Sequence, residues 1–128
     1  MITYTSLNPR ALEAVVEGRV TKEDVREAFD RMGSLMDAND KVDMLADVRA
    51  GVHIELAAIG EEMRHLSQVG RMLAKMDRVA LVADPAWIRA IGRIEAHVLP
   101  SIDYRVFTRE QEAEARAFVL REDQSGNA

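Results

Sequence analysis

The segment that most constrains the fold is Val79-Ala80-Leu81-Val82-Ala83, five apolar residues in a row followed by Asp84-Pro85. Five residues is strand length, and a strand with no polar alternation has no face to give to water. Such a strand lies centrally in a sheet or is covered on both sides, as parallel strands are. Asp84 is a good helix N-cap, and Pro85 suits the first helical position because the N–H it lacks would be orphaned there anyway. The stripe Trp87, Ile88, Ile91 and Ile94 continues that helix towards Pro100. A buried strand handing directly to a helix is the unit of a parallel α/β sheet.

The rest of the chain repeats this alternation. Residues 2–7 are rich in β-branched and aromatic types, and residues 12–18 set Leu12, Ala14 and Val16 against Glu13, Val15 and Glu17, the pattern of a half-covered strand. Asn8-Pro9-Arg10 makes a short turn, so these two strands pair antiparallel. Thr21 with Asp24 forms a capping box for a helix whose stripe is Val25, Ala28, Phe29, Met32, Leu35 and Met36, ending near Asn39-Asp40. A third strand spans Val42 to Val48, and a loop at 49–53 leads to a long helix striped by Leu56, Ile59, Met63, Leu66, Gly70 and Leu73. After Pro100 a last strand covers 102–107. Thr108 with Gln111 then caps a helix running to about Arg121, and residues 122–128 read as a disordered tail. The chain thus reads as a single α/β domain over 1–121, within the usual domain size of about 100 to 150 residues.

Composition removes several function classes. There is no cysteine, hence no disulfide framework, thiolate metal site or cysteine nucleophile. The net charge is −5 and the arginines are scattered among carboxylates, which argues against nucleic acid and anionic membranes as partners. The N-terminal residues MITYTSLNPR lack the pattern of a signal peptide, and no apolar run reaches the ~20 residues that cross a bilayer. The expected setting is the cytoplasm, without membrane insertion. The glycines form neither a dinucleotide fingerprint nor a phosphate loop, and no serine sits in a nucleophile elbow, so no cofactor is expected. Glu61 and His65 have a metal-compatible spacing, yet a lone Glu–His helix pair is ordinarily a solvated surface contact. His53, His65 and His97 lie on different elements, so no metal site is expected.

The stretch from Arg78 to Val119 resembles the SpoIIAA-like group within the STAS/CRAL-TRIO type of fold. That group similarly shows a strand of the form Arg-hydrophobic-Ala-hydrophobic-Val, then Asp and Trp, a short helix, a strand ending in Phe, and an acidic, alanine-rich final helix. Leu45-Ala46-Asp47-Val48 also resembles its strand ending in Asp, and the likeness spans residues 3–121. The resemblance implies a mostly parallel five-stranded sheet with an antiparallel N-terminal strand and four α-helices. It implies two functions: a switch based on phosphorylation of a serine at a helix start, or binding of a hydrophobic, lipid-like molecule. The loop where that serine would fall, Asp47 to Glu55, contains neither Ser nor Thr. A phospho-switch at that position is chemically excluded, and the regulatory reading is left as unswitched binding of a protein partner.

Open α/β sheets bind ligands outside the carboxyl ends of their strands. Asp47, Arg49 and His53 follow the third strand, while Asp84 and Trp87 follow the fourth, so neighbouring strands would gather all five on one rim. The bland alternatives are that Asp84 only caps, Trp87 only anchors its helix and Asp47 only ends a strand. Met32 and Met63 lie on the apolar stripes of the first two long helices, where with Met36, Met72 and Met76 they line a plastic pocket or simply fill the core. The leading expectation is a non-enzymatic binding module for a small apolar ligand or a protein partner. The alternative is a small enzyme using Asp47, His53 and Asp84 as acid/base groups. A homodimer, formed through the sheet face that carries Val15 or through the edge of the first strand, is a third expectation.

Overall fold

The structure, a computed structural model, describes residues 1–54, 66–86 and 102–122, with the backbone alone for 66–69. Strands β1 (Ile2–Asn8) and β2 (Ala11–Val16) form the expected antiparallel hairpin. Its turn is closed by the Arg10 backbone N–H donating to Asn8 Oδ1 at 2.9 Å, an Asx turn. After the short β3 (Arg19–Val20), α1 (Lys22–Ala38) opens on the expected capping box, with Thr21 and Asp24 bonded reciprocally. Those bonds, the one from the Thr21 backbone N–H foremost, hold the Asp24 carboxyl below its usual range. There follow β4 (Val42–Val48), β5 (His53–Ile54), α2 (Leu66–Lys75), β6 (Met76–Val82), β7 (Asp103–Phe107) and α3 (Glu112–Leu120). A 3₁₀ turn at Arg109–Gln111 precedes α3.

The main sheet has five strands in the order β1-β2-β4-β6-β7, antiparallel only at the first pair. The apolar run supplies Val79–Val82 of β6, a parallel strand between two neighbours as expected; the strand starts earlier, at Met76, and stops one residue short of the expected Ala83. Three α-helices lie among the described residues where four were expected. Pro85 and Ala86 are helical, but the remainder of that segment, with Trp87, and the first part of the long helix, with Met63, lie outside the described residues.

The loop expected after β4 holds a strand of its own. His53 and Ile54 pair in parallel with Arg19 and Val20 as a separate two-stranded sheet. Two-residue strands carry no periodicity, which is why the sequence pattern passes over them.

Helices cover both faces of the main sheet. On one face Leu12 and Val42 pack with Met32 and Met36 of α1, and Met72 and Met76 join at the margin. On the other, Ala11, Leu45, Ala80 and Val82 pack under Ala115, Phe118 and Val119 of α3. The cover expected over the face carrying Val15 is therefore supplied in part by α3, and Val15 itself is half-buried. The half-covered pattern read from β2 is also corrected. Glu13 is buried because Arg116 of α3 reaches its carboxylate at 2.5 Å.

That second face holds four buried charged residues, Glu13, Asp43, Asp47 and Arg78. Asp43 is fully buried and accepts from the Arg78 backbone N–H at 3.0 Å, while Arg10 Nε stands 3.1 Å away and Arg121 bonds it directly. Arg121 occupies the left-handed C-cap position of α3 (φ 62°), which turns its side chain back onto the sheet. Asp43 raises the Arg121 pKa. Arg121 also reaches Asp77 at 2.6 Å, so two arginines and two aspartates close a neutral network at the amino ends of the parallel strands. Asp43→Ala would leave the buried Arg78 N–H without this acceptor, and Arg10 and Arg121 with Asp77 as their shared carboxylate. It is expected to lower the unfolding free energy by about 1 to 3 kcal/mol in urea titrations.

Tyr4 supplies a second check. Its ring lies under the Arg31 guanidinium at 4.8 Å, and its buried hydroxyl has no hydrogen-bond partner among the described residues. Burial first, and the Glu27 carboxylate second, push its pKa up to about 12 from 10.0. The fold favours the neutral phenol, so this contribution to stability is complete below pH 10 and is lost as the pH rises through 12. Ultraviolet titration should show a phenolate step near pH 12 that Tyr4→Phe removes.

Candidate functional site

The parallel strands β2, β4, β6 and β7 all end on one rim. Gly18 (φ 61°) and Gly51 (φ 80°) make the left-handed turns that bring β3 and β5 together beside it. Two backbone bonds fasten this corner: Arg49 N–H to Val16 O and His53 N–H to Gly18 O, each 2.9 Å. Across the rim, the Ala83 N–H donates to Phe107 O at 3.2 Å. Beneath it lies a small core of Val48, Leu81 and Ala83.

Asp47 is the centre of the rim and is 1% exposed. Arg109 Nη1 donates to its Oδ1 at 2.5 Å, and Arg49 Nη2 stands 3.2 Å from its Oδ2. Arg109 also bonds Val48 O at 3.2 Å and lies 3.8 Å from Glu112. The 3₁₀ turn is itself set by Thr108 and Gln111, bonded as the expected capping box. A backbone N–H and the Thr108 hydroxyl hold the neighbouring Glu110 carboxyl below its usual range.

Of the residues named from the sequence, Asp47 and Arg49 are brought into contact. His53 lies on β5 with an exposed side chain, and among the described residues no hydrogen bond or ion pair joins its ring to Asp47 or Asp84. Asp84 lies two residues past the end of β6 and is half-buried. Trp87 lies outside the described residues. Each carboxylate oxygen of Asp47 therefore faces a guanidinium.

Arg109 is the rim residue that sequence reasoning missed. The rule that strand ends carry sites was applied to β4 and β6 only. Extended to β7, which ends at Phe107 immediately before a capping box, it points to this position.

Met32 belongs elsewhere. It is 4% exposed and lies between α1 and the sheet, in a different cluster from the one under the rim. It borders an apolar pocket of about 200 Å³ whose other walls include Phe29, Met44, Met72, Leu73 and Met76. Met44 comes from a strand, which helix-stripe reasoning could not add to the set. Met63 lies outside the described residues.

A five-stranded, mostly parallel sheet with an antiparallel first strand and helices on both faces defines a STAS-type α/β module. The SpoIIAA-like family model matches residues 11–120, and the chain belongs to that family. Such membership suggests a regulatory or binding module. Among solved structures, the chain is similar to the Bacillus cell fate determinant SpoIIAA in its phosphorylated form, with a TM-score of 0.53 and 9% identity over 89% of this chain and 97% of the other. At that identity the likeness is one of fold. No curated protein matches the sequence significantly. No helix among the described residues is long and apolar enough to cross a membrane.

The two arginines on Asp47 are unequal. Arg109 makes the 2.5 Å bond and a second bond to Val48 O, whereas Arg49 is 45% exposed and makes one longer contact. Arg109→Ala is expected to cost about 1 to 3 kcal/mol by leaving a buried carboxylate with only its longer arginine contact, and Arg49→Ala under about 1 kcal/mol. Paired denaturation curves check the order.

Proposed function

We propose that this protein is a non-enzymatic binding module whose ligand is small and apolar and occupies the methionine-lined pocket between α1, α2 and the sheet. The pocket is the observation that carries the reading. Phe29, Met32, Met44, Met72, Leu73 and Met76 offer a lining with no charged group. Methionine is flexible and polarisable, so such a lining adapts to ligand shape. Size narrows the ligand class. A cavity of about 150 Å³ holds a benzene-sized molecule, and sites for drug-sized ligands begin near 300 Å³. A pocket of about 200 Å³ therefore suits a single ring or a short alkyl chain. A long acyl chain would require the methionines to repack.

The rim supports a module without a phosphorylation switch. The loop after β4 offers no hydroxyl side chain, and its buried carboxylate is already engaged by Arg109 and Arg49. Any protein partner that reads this rim meets a preset charge arrangement.

Binding to the folded state alone raises stability by about 2.7 kcal/mol at a ligand concentration a hundred times Kd. Thermal melts against substituted benzenes and short-chain alcohols and acids should show a concentration-dependent shift, and native mass spectrometry the bound species. Met44→Phe, which fills the pocket, should abolish the shift while the protein stays folded. A melting curve indifferent to the whole panel, or an unchanged shift in folded Met44→Phe, refutes the reading.

A further inference from the structure

The methionine pocket has a polar neighbour. Between α1 and α2 runs a groove of about 310 Å³ lined by Gly33, Met36, Asp37, Arg71, Met72 and Lys75. Met72 lines both spaces, so its side chain is a wall common to the groove and to the apolar pocket. An unbranched methionine side chain can swing aside at little cost. The helices themselves are tied together here. Lys75 Nζ donates to Met36 O at 2.7 Å and Lys41 Nζ to Ala74 O at 2.8 Å, so each lysine takes up a carbonyl near the C-terminal end of a helix.

A glycine and two charges distinguish this groove from an ordinary helix crossing. Glycine inside a helix is destabilising relative to alanine. Gly33 lies in the interior of α1 without a positive φ, and a Cβ placed on it would meet nothing within 4 Å. Neither backbone conformation nor close packing calls for glycine there, and its effect is to leave the groove open. Asp37 lines the groove from α1 and Arg71 from α2, and both are exposed. Neither makes a hydrogen bond or ion pair among the described residues, with the other or with a third group. Lys75, the remaining charge, is engaged by Met36 O. The two walls thus offer one unpaired carboxylate and one unpaired guanidinium, beside an uncharged pocket of about 200 Å³.

We propose that the ligand is an α-amino acid with an aromatic or branched apolar side chain. Its side chain sits among the methionines, its carboxylate meets Arg71 and its ammonium group meets Asp37. This rests on the reading of the methionine pocket as a ligand site and names the class of molecule that site takes. The groove charges decide among classes. A neutral hydrocarbon leaves both unused. A simple carboxylic acid answers Arg71 but brings a second carboxylate near Asp37, and a simple amine has the converse fault. An α-amino acid carries both charges on one carbon, from which the apolar branch also leaves. A guanidinium receives a carboxylate through two parallel N–H···O bonds, which fixes the ligand's orientation as well as its charge.

Isothermal titration calorimetry of the full chain with L-phenylalanine, 3-phenylpropionate, 2-phenylethylamine and ethylbenzene separates the contributions. Phenylalanine should bind at least about tenfold tighter than any of the other three. Arg71→Gln should weaken phenylalanine and 3-phenylpropionate about tenfold and leave 2-phenylethylamine unchanged. Asp37→Asn should weaken phenylalanine and 2-phenylethylamine and leave 3-phenylpropionate no weaker. Both side chains are exposed and unbonded, so the variants keep the fold, which unchanged melting temperatures verify. Ethylbenzene binding without a gain for phenylalanine overturns the proposal and leaves the pocket reading standing, as does phenylalanine affinity insensitive to either charge variant. Charge-dependent binding that persists in Met44→Phe overturns it too, because the apolar branch would then lie outside the methionine pocket. If none of the four probes binds, the proposal falls together with the reading it rests on.

Discussion

Three arginine–carboxylate attachments hold the C-terminal segment against one face of the sheet, and the remainder of the fold is arranged around them. Arg109 engages Asp47, Arg116 engages Glu13, and Arg121 engages Asp43 and Asp77. Between them Phe118 is buried, with Arg78 and Arg105 over its ring at 4.7 and 4.4 Å. Buried ion pairs barely offset their own desolvation, yet leaving one member unpaired is costly. Their effect is therefore to select one placement of the segment. An α3 shifted by a single residue would leave carboxylates buried without a counter-ion.

The two faces of the sheet consequently differ in character. Under α3 the surface is a chequer of small apolar residues and matched charges, set into one geometry by hydrogen bonds. Under α1 and α2 it is rich in methionine, with polar contacts such as Lys75 Nζ to Met36 O confined to the margins, and there a pocket remains. Adaptable binding falls naturally on the second face and fixed electrostatics on the first. Of the seven residues singled out from the sequence, the five that are described fall in separate places. Asp47 and Arg49 meet on the rim, His53 and Asp84 stand beside it, and Met32 belongs to the pocket layer.

Much of the architecture was legible in the residues. Val42 to Val48 was bounded as observed because its apolar run is flanked by Asp40-Lys41 and by Arg49. Both capping boxes were visible because capping depends on residues three apart, a strictly local relation. The strands β3 and β5 escaped notice because a two-residue pairing depends on Gly18 and Gly51 folding two distant turns together. Glu13 was assigned to solvent because its partner, Arg116, lies far along the chain.

By itself, the sequence determined strands alternating with helices, one antiparallel hairpin and a central strand through Val79–Val82, all consequences of hydrophobic period and local hydrogen bonding. The tertiary structure alone decided which charges are buried, which methionines share a pocket, and that Arg109 closes the rim. The physical reason is one of range. Periodicity and capping act within a few residues, whereas the match of a buried charge to its counter-ion, or of one pocket wall to another, exists only once distant segments are packed together.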